Sequence, residues 1–474
     1  MKRLRYALAL GFALAIVSRA SITAGAEDAS RPADAGLDHF PESADIRAAY
    51  WQSFFTASEP ELLRRSAAVV TNEYGDFRLS VVKSGGYLYT IVTALQGPPP
   101  KRGEPPLATQ GSWVLKRSSP DGAPIQAKVF LRSDQSTFIR IYPDGDRSKL
   151  DLVVYGGVLN REVPLPVAFD RAFAATMADI ESWTGSLVDW DLFSPRPGLY
   201  REVRAFVDET RRRLPSLRYG DDGALDSTGQ PVYIATGLPQ TGVAGLNCSG
   251  FASWVADGFY RPLTGKLLDP RALAEKHVAT RATTSAERYE EDLDPFFGLD
   301  WTRNIAKALL DARASSRVHG LFESDVRISP FALVAGDATA QAAVNGSSAY
   351  RNYPAYQLDL GYEASGLKAL LYVLAIREPG NIYLASVSGR NGNLVRGLNR
   401  HYHVAVLAPY FDERGEFKTA CFESCAETSV EAMMGRLKKD CVHLVRVRAE
   451  RDYDPPIFSA SRPPIKREIR DQPG

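Results

Sequence analysis

The stretch "GVAGLNCSGFASWV", residues 242–255, holds Cys248, the first of only four cysteines in the chain. Phe251, Trp254 and Val255 form the apolar stripe of a helix that begins at the cysteine. Asn247 is a good N-cap, and Gly250 leaves room for a substrate. A helix N-terminus and a nearby imidazole both lower a thiol's pKa, and the thiolate is the nucleophile. On this local pattern alone, a packed cysteine at a helix start fits equally well.

The imidazole must come from six histidines: His39, His277, His319, His401, His403 and His443. His401 and His403 stand in "NRHYHVAVLAPY", and His403 directly precedes the apolar run of a strand. It is therefore the better base, against the alternative of a polar strand-start residue. A zinc pair of His401 and His403 lacks a third ligand at diagnostic spacing, so no metal is expected. A base also needs a polar group to orient it. In "EFKTACFESC", alternation puts Thr419, Cys421 and Glu423 on one face. A turn at Asp412–Gly415 would return Glu423 close to His403, because nine residues lead into that turn and eight lead out. The alternative for Glu423 is a solvent-facing strand end.

The elements that must hold these groups fall in order along the chain. Residues 27–45 are polar and read as a loose leader, and 45–70 carry helical patterning. Strand patterns fill 71–167, with Ser84-Gly85-Gly86 as a hairpin turn between "FRLSVV" and "YLYTIV". A small barrel or sandwich is expected there. "GPPPKRGEPP" (97–106) reads as an exposed loop, since proline cannot donate to a ladder. "YPDGDRSKLD" (142–151) hints at calcium, but a polar hairpin turn is the stronger reading. From 168 to 214 the period becomes helical: "AFDRAFAATMADIESW" reads as one helix. A second follows Pro197, with Leu199, Val203, Phe206, Val207 and Leu214 on one face. Strands return at 380–388, 403–410, 416–424 and 442–448, with a helix at 429–440. A cysteine-bearing helix followed by strands is an α+β arrangement. The tail, 451–474, reads as extended.

The 474 residues are 45% hydrophobic and 24% charged, with a net charge of +1. That balance gives no reason to expect nucleic acid as a partner. The N-terminus reads as a secretory signal peptide over 1–26: Lys2, Arg3 and Arg5, then an apolar run from Ala7 to Val17, then Ala24-Gly25-Ala26. An uncleaved anchor is the alternative, but the run falls short of the ~20 residues a span needs. A periplasmic or secreted protein, without a transmembrane segment after cleavage, is expected. Export permits disulfides. The cysteines allow two bridges, or one bridge among Cys421, Cys425 and Cys441 with Cys248 free; Cys421–Cys441 is one pairing, and Cys425 is an alternative member.

"LNCSGFASWV" resembles the nucleophile segment of the NlpC/P60 superfamily of papain-like cysteine hydrolases, where Asp-Cys-Ser-Gly-Phe opens the catalytic helix. Further likenesses follow in family order. "QPVYIATG" resembles the segment upstream of the nucleophile, with Tyr233 at its tyrosine. "REPGNIYLASVS" resembles the Pro-Gly-Asp lead into a strand, with Pro379, Gly380 and Asn381. "HYHVAVLAPY" resembles the histidine strand. The resemblance, over about 215–450, implies an α+β papain-like domain with Cys248, His403 and Glu423 as a catalytic triad. It implies Tyr233, Ser249 and the Cys248 N–H at the substrate or oxyanion. It further implies peptidoglycan stem peptides as substrate, no cofactor, and a monomer. Two aspartates of the family pattern are Asn247 and Asn381 here. The 155-residue interval from Cys248 to His403 is long, and its excess, 265–370, would form a lid or a groove wall. That excess includes "WTRNIAKALLDARASS", with helical character, and "NGSSAYRNYPAYQLDLGY", rich in Tyr and Asn. The rival expectations are a papain-like amidase or acyl transferase acting on a protein or lipid, and a catalytically inactive envelope binding protein.

Overall fold

Gly85 and Gly86 both adopt positive φ, 58° and 79°, and Ser84 pairs with Tyr87 across them. This is the two-residue turn that the sequence marks. In the computed structural model, which describes residues 36–95, 109–119, 121–277, 294–314, 317–332, 355–389, 400–438 and 440–458, it joins the second and third strands of a large sheet. That sheet runs β1 (Ala68–Asn72), β2 (Gly75–Ser84), β3 (Tyr87–Ala94), β4 (Trp113–Ser118), β5 (Pro124–Phe130), β6 (Phe138–Asp144), β7 (Arg147–Val154) and β8 (Gly157–Leu165). The strands neighbour one another in sequence order, and the pairs from β1–β2 to β6–β7 are antiparallel. The outcome is one eight-stranded meander rather than a two-sheet sandwich, and no pairing of β1 with β8 closes it among the described residues. The 142–151 segment is the β6–β7 hairpin, with Asp144 opposite Arg147. The signal-peptide segment and the 97–106 loop lie outside the described residues.

The chain divides into two bodies, Met1–Val153 with Asn160–Ser194, and Val154–Leu159 with Pro195–Gly474. The first body takes in helices that the sequence suggested were a leader and a connection. These are α1 (Ala44–Ala49), a π-helical turn (Trp51–Phe55), α2 (Glu59–Leu63), α3 (Phe169–Ala174) and α4 (Met177–Thr184). Arg47 explains their membership. It is fully buried, its guanidinium lies 3.5 Å from the centre of the Trp113 ring, and it donates to the carbonyls of Phe173 and Ala175. The single helix expected over 168–183 is two, because Thr176 adopts extended backbone and forms a capping box with Asp179. Residues 68–70, patterned as helix, instead open β1.

The second body contains α5 (Arg201–Arg213), the short hairpin β9 (Gly223–Leu225) and β10 (Pro231–Tyr233), α6 (Cys248–Thr264), α7 (Pro270–Leu273) and α8 (Phe297–Arg313). There follow β11 (Tyr362–Glu363), α9 (Leu367–Arg377), β12 (Asn381–Gly389), β13 (Arg400–Phe411), β14 (Phe417–Glu423), β15 (Ala426–Thr428), α10 (Val430–Leu437) and β16 (Cys441–Arg448). Its sheet has the order β11-β16-β12-β13-β14-β15. α5 buries Val203, Phe206 and Val207, whereas Leu199 precedes the helix and is 46% exposed. Phe206 meets Phe422, while Met433 of α10 meets Cys421. Adjacent strand residues point to opposite faces, so the two helices cover different sides of the sheet. α8 is no lid: Trp301 is fully buried and donates to the Ser249 carbonyl at 3.0 Å, and Arg303 is buried against Asp325. The tail is partly packed as well, since Trp254 donates to the Pro456 carbonyl at 2.8 Å. No helix among the described residues is long and apolar enough to cross a membrane.

Asp257, in the middle of α6, is 1% exposed and accepts the Leu268 N–H at 2.7 Å. Burial pushes its carboxyl well above the usual range. The folded state therefore holds a proton that the unfolded chain releases, and stability falls as pH rises from about 4 through the folded pKa. Asp257→Asn keeps an acceptor and removes the titration. It is expected to raise Tm by a few degrees at pH 8 and by nothing at pH 4, as read by calorimetry.

Candidate active site

α6 begins at Cys248 because Asn247 is extended (φ −82°, ψ −173°) and its Oδ1 accepts the Gly250 N–H at 2.8 Å. The Asn247 N–H in turn donates to the Gly223 carbonyl at 3.0 Å, which seats the start of the helix on β9. A Cβ at position 250 would overlap that same Gly223 carbonyl oxygen. The space at Gly250 is thus filled by backbone, not left for a substrate. Gly250→Ala is expected to cost about 3 kcal/mol, the upper end for overpacking, and to displace the cysteine. The check is a chemical denaturation midpoint alongside thiol reactivity.

β13 extends through both His401 and His403, yet the two rings part company. The ladder with β12 shifts register between Val387 and Ser388, so that Val387 opposes His403 and Ser388 opposes His401. Val387 and Ser388 point to opposite faces, and the histidines follow them. His401 is 3% exposed, its Nδ1 is 2.8 Å from the Ser386 hydroxyl, and burial pulls its pKa down to about 3. His403 Nε2 lies 2.8 Å from Glu423 Oε2. This register separates the imidazoles that a shared zinc site would need together.

Glu423 arrives as the sequence suggests, through a β13–β14 hairpin in which Phe411 opposes Phe417 and Val406 opposes Phe422. The pairing stops at Val406, short of His403. The thiol sits beyond that point, where the Val404 N–H favours its charged form. Arg436 of α10 contacts the other oxygen of Glu423. Sequence reasoning missed this arginine, since nothing in a short amphipathic helix marks which of its cations turns toward a strand end thirteen residues away.

The charges are coupled along this row. Burial pushes the Cys248 thiol up, but the hydrogen bond and charge of His403, with smaller help from Val404 and Ser249, bring it below its ordinary 9.0. Burial also opposes the His403 cation, but Cys248 and Glu423 raise it to about 9. Burial opposes the Glu423 carboxylate, and His403 and Arg436 hold it below its ordinary value. Cysteine and histidine thus favour a thiolate–imidazolium pair with a carboxylate behind it.

Ser249 is buried, with its hydroxyl 4.0 Å from the Cys248 sulfur. Tyr233 is placed differently. Its hydroxyl is 3.2 Å from that of Thr241, and among the described residues no hydrogen bond joins it to Cys248. Tyr219, 60% exposed, is bridged to Leu246 just before the start of α6. Its hydroxyl is raised by a hydrogen bond to Asp221, by burial, and by the charges of Asp221 and Cys248. Pro379-Gly380 does lead into β12, with Gly380 at φ 85° and Asn381 as the first strand residue.

Among the described residues no disulfide joins Cys248, Cys421, Cys425 or Cys441. Cys425 and Ser424 form the β14–β15 turn at positive φ, and the Cys425 thiol points at the carbonyls of Arg218 (3.4 Å) and Leu246 (3.7 Å). It ties the turn after Glu423 to the segment before Cys248. Burial pushes it up to about 12, away from nucleophilic use.

Residues 36–192 match the family model of a domain of unknown function, DUF8515. The match ends two residues short of the end of the first body and leaves the thiol site outside it. No curated protein and no solved structure matches the chain.

Proposed function

We propose that the chain is a cysteine hydrolase of NlpC/P60-like, papain-like type, exported to the cell envelope, that cleaves an amide bond in peptidoglycan stem peptides. The observation that carries this reading is the row Cys248–His403–Glu423, with the cysteine at the N-terminus of α6, whose start is capped by Asn247. The Cys248 thiolate attacks the amide carbonyl, forming a C–S bond and an oxyanion. The helix-start N–H groups face that charge. The His403 imidazolium gives its proton to the leaving nitrogen as the C–N bond breaks. Neutral His403 then takes a proton from water, whose oxygen displaces the thiolate from the thioester. Glu423 holds the ring's far nitrogen throughout, and Arg436 holds Glu423.

The substrate class comes from the family resemblance and from the signal-peptide reading of the first 26 residues. Incubation with a panel of muropeptides tests it, with release of fragments bearing D-residues as the expected result. A chain that cuts no muropeptide, while Cys248 still alkylates rapidly, refutes the cell-wall substrate and leaves a thiol hydrolase of another amide.

A further inference from the structure

The first body contains a cavity of about 360 Å³ walled by Trp51, Phe55, Phe169 and Pro124, with Arg117 and Asp170 also in its lining. The size is that of a small-ligand site. Arg117 stands at an inward-facing position of β4, where Trp113 and Leu115 are core. It is 4% exposed; among the described residues it donates one hydrogen bond, from Nη2 to the Ala57 carbonyl at 3.1 Å, and its buried Nε has no acceptor. It makes no ion pair among the described residues. Its neighbours in the same body are treated otherwise. Arg140 is paired with Asp151, and Arg47 donates to Ser43, Phe173 and Ala175. A buried guanidinium without a counter-charge is costly, and the usual remedy is an anion. Asp170, from the first turn of α3, is exposed and supplies the opposite charge in the same cavity.

We propose that this cavity binds an amino acid or short peptide with both ends free, its carboxylate on Arg117, its ammonium group toward Asp170, and its hydrocarbon against the aromatic rings. Guanidinium matches carboxylate in geometry as well as charge, and the three rings supply the apolar surface. The site lies wholly in the first body and does not depend on the hydrolase reading.

Calorimetric titration of the full-length chain with D-alanyl-D-alanine and with L-alanyl-L-phenylalanine tests it, repeated on the Cys248→Ala chain to exclude turnover. At least one dipeptide is expected to bind, to weaken about tenfold or more when its carboxylate is amidated, and to weaken similarly with Arg117→Gln. Asp170→Asn, at an exposed position, is expected to weaken the free-amine peptide and leave its N-acetyl form unchanged. Should Arg117→Gln fail to fold, the acid–amide pair and Asp170→Asn still decide. No binding of either dipeptide, or binding indifferent to amidation, overturns the proposal.

Discussion

Replacing Cys248 with alanine is expected to lower amide hydrolysis by about 10⁴-fold or more, the scale seen when a covalent nucleophile is removed from a triad. The substitution deletes one sulfur at a helix start whose cap, Asn247, and whose seat on Gly223 both remain, so fold and Tm are expected to hold. A companion measurement needs no substrate. Iodoacetamide at pH 6 to 7 is expected to label Cys248 well before Cys421 and Cys425. His403 lowers the first thiol, whereas burial raises the other two. Peptide mapping after brief exposure reads the order directly. Hydrolysis that survives in Cys248→Ala, or a Cys248 that labels no faster than Cys425, ends the nucleophile assignment.

Glu423→Gln is expected to lower kcat/KM by about 10²-fold, the lower range for a positioned acid–base group, and to reshape the pH profile. The reactive form needs Cys248 deprotonated and His403 protonated. Activity should therefore fall on the acid side as pH drops through the lowered thiol pKa, and on the alkaline side as pH rises through about 9. These limbs belong to the coupled pair. Glutamine keeps a hydrogen-bond acceptor but loses the charge that helps hold the His403 proton, so the alkaline limb should move to lower pH. Stability follows the same signs. The raised His403 contributes below its unfolded pKa near 6.5, and that contribution is lost as pH climbs through about 9. The lowered Glu423 contributes above its ordinary 4.5 and loses that contribution in acid. A variant with an unchanged alkaline limb would show that Glu423 packs against the ring without tuning it.

What sequence made legible was whatever depends on local period and spacing. The helix at Cys248, the Gly85-Gly86 turn and the return of Glu423 through Asp412–Gly415 all follow from near neighbours. What it hid depends on backbone detail or on distant partners. The register shift at Val387/Ser388 leaves no mark in "HYHV", yet it decides which histidine meets Glu423. Arg47 has the look of an ordinary surface residue in a short amphipathic stretch, and its distant partners at 113, 173 and 175 explain its burial. Residues 297–313 were legible as a helix but not as core, because the anchoring contact of Trp301 is with a carbonyl 52 positions earlier.

The close approach at Gly250 is not alone. Cβ atoms at Gly220 and Gly245 would meet each other's backbone, and one at Gly223 would meet the Gly245 carbonyl. Four positions around the nucleophile are therefore defined by missing side chains. In a deep mutational scan, they should tolerate almost no substitution even when the selection is for soluble protein alone, whereas Cys248 itself should be freely replaceable under that selection. The comparison of the two selections would separate the architecture that aims the sulfur from the chemistry the sulfur performs.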